Sequence, residues 1–138
     1  MKKIIFIEDE VNLKDLLKKK LENNGYEVDT AEDGEEGLNK IRAEKPDLIL
    51  LDIIMPKKDG FEVMEELQED EELRSIPVII VSNSGQPVEL ERAKRLGVKD
   101  WIVKTEFDPQ EVVDMVSRQF EEQNRESEGE DHAKELEE

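Results

Sequence analysis

Reactive side chains stand at the ends of four short apolar runs in this chain of 138 residues. They are Glu8, Asp9 and Glu10 after the first run, Asp52 and Ser82 after two later runs, and Lys104 after the last. Clustered carboxylates repel one another, which costs stability unless a cation or a raised pKa relieves the repulsion. The chain has no Cys, and its one His lies in an acidic segment near the C-terminus, so these oxygen ligands favour a hard ion, above all Mg2+.

Asp52 is the best candidate for a nucleophile. It directly follows the apolar run 48–51, so the core rather than a flexible loop sets its position. A carboxylate beside a divalent ion can attack phosphorus and form an acyl phosphate. Such chemistry also needs metal ligands, a counter-charge for the phosphoryl group and a hydroxyl donor, and the candidates are Glu8 and Asp9, Lys104, and Ser82.

Each of these residues also has an ordinary structural interpretation. Acidic residues such as those of the 8–10 run are favoured at a helix N-terminus by the macrodipole. Asp52 could open a loop, Ser82 could be a turn hydroxyl, and Lys104 could be a solvated lysine. Their combination favours the chemical interpretation, because open parallel sheets bind ligands beyond the carboxyl ends of their strands.

Short apolar runs alternate with amphipathic stretches before residue 121, which is typical of βαβ units around a parallel sheet. The predicted elements are β1 2–7, α1 10–23, β2 26–30, α2 34–44, β3 47–51, α3 60–70, β4 77–81, α4 87–96, β5 100–103 and α5 109–121. Continuous apolar runs in β1, β3 and β4 indicate strands that helices cover on both faces. The predicted class is α/β, a doubly wound five-stranded parallel sheet, and the flavodoxin-like order 2-1-3-4-5 would gather the reactive groups in one crevice.

Length and composition limit the number of domains and the kinds of partner. The length fits one domain, and a net charge of −18 argues against direct binding to nucleic acid. The longest apolar runs have four residues, far short of a membrane span, so we expect a cytoplasmic protein without membrane contact. Residues 121–138 hold nine acidic and two basic residues, and we predict a folded domain over 1–121 followed by a disordered acidic tail over 122–138.

Several motifs together are highly specific. They are Glu8-Asp9-Glu10, Leu51 to Pro56, Asp59-Gly60-Phe61, Ile76 to Ile79, Ser82, Leu96-Gly97-Val98 and Lys104. On these motifs, residues 2–120 resemble the receiver domain of two-component response regulators. The resemblance implies that Asp52 accepts a phosphoryl group from a sensor histidine kinase or a histidine phosphotransfer protein.

The resemblance also implies a Mg2+ cofactor and a conformational switch. Asp9 and Asp52 would bind the ion directly, Glu8 would act largely through water, and Ile54 would supply its backbone carbonyl. Ser82 and Trp101 match the hydroxyl and aromatic switch positions, so the face made by α4, β5 and α5 would change shape for an unknown downstream protein. Trp101 could equally be a core aromatic that anchors a short strand. We expect a monomer or weak homodimer.

Two positions depart from the family pattern. The residue after the lysine is usually proline with a cis peptide bond, but here it is Thr105. A cis bond before a non-proline residue costs about 2.5–4 kcal/mol, so we predict a trans bond between Lys104 and Thr105 or an altered loop. The residue after Ser82 is usually small, but here it is Asn83, and we expect this neighbour of the phosphoryl site to change the rate of autodephosphorylation.

Three other functions compete with a phospho-accepting switch. A phosphatase of the dehalogenase type needs a second acid two residues after its nucleophile, and position 54 is Ile. A nucleotide-binding enzyme needs a glycine-rich phosphate loop after a strand, which the sequence lacks. We therefore expect no enzyme. A pseudo-receiver that binds partners without phosphorylation remains the alternative, favoured by Thr105 and Asn83.

Overall fold

The computed structural model describes residues 1–55, 57–83, 86–105 and 108–137, with side chains described as far as residue 123. The strands are β1 Lys3–Ile7, β2 Glu27–Ala31, β3 Leu48–Leu51, β4 Val78–Ser82 and β5 Asp100–Val103. The helices are α1 Val11–Asn23, α2 Gly34–Glu44, α3 Gly60–Glu69, α4 Pro87–Arg95 and α5 Pro109–Glu137. Helices and strands alternate along the chain, as the sequence predicts.

All five strands form one parallel sheet in the order β2-β1-β3-β4-β5. The interior strand β1 pairs Ile4 with Val28 on one side and with Leu48 on the other. The predicted fold class and strand order are confirmed. Because all strands run the same way, their carboxyl ends meet at one edge of the sheet.

Two apolar clusters cover the two faces of the sheet. One face packs against α2, α3 and α4, and the other against α1 and α5. Successive strand residues supply opposite clusters, as Ile4 and Phe6 lie in one while Ile5 and Ile7 lie in the other. Every residue of β3 and β4 is buried, which explains why these strands are continuous apolar runs rather than alternating ones.

Local signals set most element ends. Asp33 and Asp59 cap α2 and α3 by accepting hydrogen bonds from Glu36 N and Glu62 N, at 2.8 and 2.9 Å. Gly25 and Gly97, which follow α1 and α4, have φ of 92° and 88°, in the left-handed region that glycine tolerates best.

The last helix is longer than predicted. We expected α5 to end at residue 121, and it continues to Glu137. The acidic segment is rich in Glu with Lys, Ala and Leu, which are good helix formers, so local propensity outweighs its lack of apolar residues. The division of the chain into a domain over 1–121 and a tail over 122–138 stays a prediction. Within the described residues, no helix is both long and apolar enough to cross a membrane.

Candidate functional site

Backbone hydrogen bonds carry the sheet pattern beyond the strand ends and so place the reactive residues. Glu8 N donates to Ala31 O at 2.9 Å, and Asp52 N donates to Ile7 O at 3.1 Å. Lys104 N donates to the carbonyl of Ser82, the last residue of β4, at 2.8 Å. These residues therefore leave the sheet from a rigid edge.

Three carboxylates meet at this edge. One oxygen from each of Glu8, Asp9 and Asp52 lies within 4.8 Å of the others. Glu8 and Asp52 are buried, with relative exposures of 0% and 4%, whereas Asp9 faces solvent. Asp9 N also donates to Glu8 Oε2 at 3.1 Å, which orients the buried carboxylate. The structure thus brings together the predicted acidic residues in an open-sided cluster.

Lys104 reaches into the cluster. Its Nζ lies 2.5 Å from Glu8 Oε1 and 3.0 Å from Asp52 Oδ2, and its side chain is 8% exposed. No peptide bond among the described residues is cis, so the predicted trans bond between Lys104 and Thr105 is confirmed. The loss of the usual proline therefore leaves the amine beside Asp52.

Glu10 and Gly60, to which the sequence motifs assign no role, also touch this region. Glu10 Oε2 lies 3.8 Å from Lys104 Nζ, on the exposed side of the amine. A Cβ at Gly60 would fall 2.5 Å from the Asp52 carbonyl oxygen, so α3 begins in direct contact with the Asp52 backbone. The acidic run and the Asp-Gly pair are visible in the sequence. Their contacts with Lys104 and Asp52 depend on the tertiary fold and could not be predicted from the sequence.

Burial dominates the electrostatics of the cluster. Desolvation, together with the neighbouring Asp52 carboxylate, raises the pKa of Glu8 to about 8, although the contact with Lys104 acts in the opposite direction. Burial alone would lower the pKa of Lys104, and the contacts with Glu8 and Asp52 outweigh it, so that this pKa is raised. The Lys104 amine therefore offsets only part of the negative charge of the crowded carboxylates.

Excess negative charge makes the site suited to a cation. Glu8 Oε1 is buried and its neighbour is the Lys104 ammonium at 2.5 Å, so this one amine faces the carboxylates of both Glu8 and Asp52. A cluster of three carboxylates offers the oxygen ligands that Mg2+ takes. The residues present fit a hard divalent ion.

Both oxygens of Asp52 have a defined neighbour. Oδ1 accepts a hydrogen bond from Ile53 N at 2.7 Å, and Oδ2 accepts one from Lys104 Nζ at 3.0 Å. The carboxylate is therefore held in one orientation at the carboxyl edge of the sheet. A fixed carboxylate next to an amine and a cation site can act as a nucleophile toward phosphorus.

The other predicted residues differ in burial and position. Ser82 is fully buried at the end of β4, Asn83 is exposed directly after it, and the Ile54 side chain is 69% exposed. Trp101 is half-buried on β5 and borders a cavity of about 160 Å³ between β5 and α4. Pro56 of the family motif lies outside the described residues.

Comparison with known proteins agrees with this geometry. A family model described as "Response regulator receiver domain" matches residues 4–117. The chain belongs to this receiver domain family. Receiver domains are signalling modules of two-component systems that interact with kinases or phosphotransfer proteins, and they typically bind Mg2+ at an acidic pocket. In this receiver, Glu8, Asp9 and Asp52 form such an acidic group.

Curated relatives and solved structures support the assignment. The alkaline phosphatase synthesis transcriptional regulatory protein PhoP of Bacillus subtilis (strain 168) is 40% identical over 111 residues, which are 80% of this receiver and 45% of that protein. This receiver thus spans about half the length of that relative. Protein PilH of Pseudomonas aeruginosa is 38% identical, with 75% of this chain and 86% of that one covered. A CheY-like receiver domain protein from Methanospirillum hungatei JF-1 superposes with a TM-score of 0.84 at 28% identity, with coverage of 91% and 98%.

Proposed function

We propose that Asp52 is the phosphoryl acceptor of a Mg2+-dependent switch, with a sensor histidine kinase or a histidine phosphotransfer protein as the donor. The observation that carries the proposal is the buried Asp52 carboxylate, which lies within 4.8 Å of two further carboxylates and 3.0 Å from the Lys104 amine. This combination supports a pocket in which Asp52 acts as nucleophile, the carboxylates hold a cation and Lys104 supplies a counter-charge.

The metal would be held by Asp9, Asp52 and the backbone carbonyl of Ile54, with Glu8 acting largely through water. When bound, Mg2+ supplies positive charge that offsets the repulsion between the acidic groups and the incoming phosphoryl oxygens. The crowding of Glu8, Asp9 and Asp52 around the Lys104 amine supports this role, because neighbouring carboxylates repel one another unless further positive charge is bound.

The transfer exchanges one bond for another. An Asp52 carboxylate oxygen forms a bond to phosphorus while the bond between phosphorus and the donor imidazole nitrogen breaks, and its electron pair returns to that nitrogen. Lys104 then moves from the free carboxylate to the phosphoryl oxygens, and the Ser82 hydroxyl bonds one of them. The backbone N–H of Ile53 keeps the acceptor group oriented during this exchange.

The output would be a change of the face made by α4, β5 and α5. Movement of Ser82 toward the phosphoryl group would allow Trp101 to turn inward, and a cavity of about 160 Å³ beside its ring supports this motion. A downstream protein would read the altered face, and we place this switch in the cytoplasm as a monomer or weak homodimer. We propose signalling rather than substrate turnover as its role.

Labelling with a small phosphodonor and Mg2+ tests the proposal. The parent protein and Asp59→Asn should be labelled, and Asp52→Asn should not. Asp59 is a matched control because it is a nearby carboxylate that only caps α3, a task asparagine also performs. Equal labelling of Asp52→Asn and parent would refute the acceptor assignment. No labelling of the folded parent would instead favour the pseudo-receiver alternative, to which Thr105 and Asn83 lend weight.

A further inference from the structure

Two neighbouring helices on one face of the sheet are held very differently. Helix α4 buries only Ala93, and Val88 in its first turn is 77% exposed. The cavity of about 160 Å³ lies under α4, between Leu90, Ala93 and Trp101. Helix α3 buries five residues: Gly60, Phe61, Val63, Met64 and Leu67. Elements with few buried apolar contacts open most easily, so the core alone holds α4 weakly.

Contacts between α4 and α3 add to this weak attachment of α4 to the core. The Arg92 guanidinium lies over the Phe61 ring, 4.3 Å from its centroid, and Arg92 also donates to Glu65 Oε1 at 2.8 Å. Gln68 Nε2 donates to the carbonyl of Leu96, just after α4, at 2.7 Å. We call these contacts of Arg92 and Gln68 the α3–α4 clasp. An exposed ion pair is weak by itself, but one planar guanidinium here both stacks and pairs.

The α3 side of the clasp is anchored at the proposed acceptor. Gly60 N donates to Ile53 O at 2.7 Å, and Ile53 N donates to Asp52 Oδ1, also at 2.7 Å. Gly60 also packs directly against the Asp52 backbone, where an added Cβ would fall 2.5 Å from the carbonyl oxygen. Helix α3 is therefore a rigid platform, and α4 is the movable partner that the clasp attaches to it.

We propose that the α3–α4 clasp is a latch that sets the resting position of α4 and opposes the switched state. The proposal has two halves. The resting half says that the clasp holds α4 in the unphosphorylated protein. The regulatory half says that the clasp opposes switching, and it rests on the proposed function, because the switched state is the one that phosphoryl acceptance at Asp52 favours. In this proposal the clasp is broken in the switched state, so weakening it shifts the balance toward that state.

Amide hydrogen exchange of the unphosphorylated protein tests the resting half. Arg92→Ala should speed exchange in α4 about fivefold, the factor expected from loss of one cation–π and ion-pair contact, and leave α3 unchanged. Arg95→Ala is the matched control, because Arg95 pairs only with Glu91 of its own helix among the described ion pairs. Gln68→Ala should act in the same direction as Arg92→Ala. Equal α4 exchange in Arg92→Ala and Arg95→Ala would overturn the latch.

Binding of beryllofluoride, a phosphoryl mimic, tests the regulatory half in the presence of Mg2+. Trp101 is the single tryptophan of the chain and borders the cavity beside α4, so its fluorescence reports the change. Arg92→Ala should bind the mimic more tightly than Arg95→Ala, by up to the same fivefold factor, because both measurements report one equilibrium. Equal affinities with faster α4 exchange would overturn the regulatory half. If no variant binds beryllofluoride, the proposed function is contradicted. In that case amide hydrogen exchange still decides whether the clasp holds α4.

Discussion

Replacing Glu8 by glutamine should make the metal-free protein more stable at neutral pH. Glu8 is fully buried in a cluster with Asp9 and Asp52, and its pKa rises from an ordinary value of 4.5 to about 8. Between these two values the folded protein binds more protons at Glu8 than the unfolded chain does, so stability falls as the pH rises. The neutral amide has nearly the same shape and carries no such cost.

The size of the effect follows from the shift. One pKa unit corresponds to about 1.4 kcal/mol, and pH 7 lies about 2.5 units above the ordinary value, so the ionisable Glu8 costs about 3 kcal/mol there. The cost is absent below the ordinary pKa of 4.5 and complete above the folded value of about 8. Glu8→Gln should therefore gain up to about 3 kcal/mol at pH 7, a figure that already includes the attraction of Lys104 for the ionised carboxylate.

Urea unfolding in EDTA between pH 5 and pH 9 measures this gain. The parent should lose stability across the range, and Glu8→Gln should show a flatter profile. Glu10→Gln makes the same isosteric change in the same acidic run at a side chain that is 58% exposed, and should shift stability by no more than about 0.5 kcal/mol. Added Mg2+ should stabilise the parent more than Glu8→Gln. A variant that is no more stable than the parent at pH 7 would refute the reasoning.

Three further substitutions probe the same pocket. Lys104→Met leaves the buried carboxylates of Glu8 and Asp52 without their cation. It should lower the free energy of unfolding in urea by about 3 kcal/mol at pH 8. The loss should be smaller at pH 5, because Glu8 is protonated there in the folded state. Gly60→Ala places a Cβ 2.5 Å from a backbone oxygen and should lower the free energy of unfolding by about 1–3 kcal/mol, with a matching drop in Tm. Asn83→Ala should shorten the phosphoryl lifetime, measured by loss of label, because a smaller neighbour admits water more readily; an equal lifetime would remove the role of Asn83.

The fold could be predicted because the hydrophobic pattern, the helix caps and the observed structure of this chain agree with one another. Continuous apolar runs identify β3 and β4, which are buried on both faces, and the Asp33 cap identifies the start of α2. The site could be predicted for a related reason. Residues that follow parallel strands must meet at one edge, so Asp52 and Lys104 could be paired before their 3.0 Å separation was known.

Other features could not be predicted because they depend on burial and side-chain packing. The raised pKa of Glu8 requires its complete burial, and a run of three acidic residues does not tell which of them points inward. The stacking of Arg92 on Phe61 joins residues from two different helices without any sequence motif. The length of α5 depends on helix propensity in a segment whose lack of apolar residues favoured the opposite prediction.

The central claim is that one carboxylate, at position 52, receives the phosphoryl group. Donor-treated protein can be trapped with borohydride, which reduces an aspartyl phosphate to homoserine, and then digested for peptide mass spectrometry. We expect homoserine at position 52 in the presence of Mg2+ and unmodified aspartate there after treatment with EDTA. Homoserine at Asp9 or Asp59 with Asp52 intact would contradict the claim.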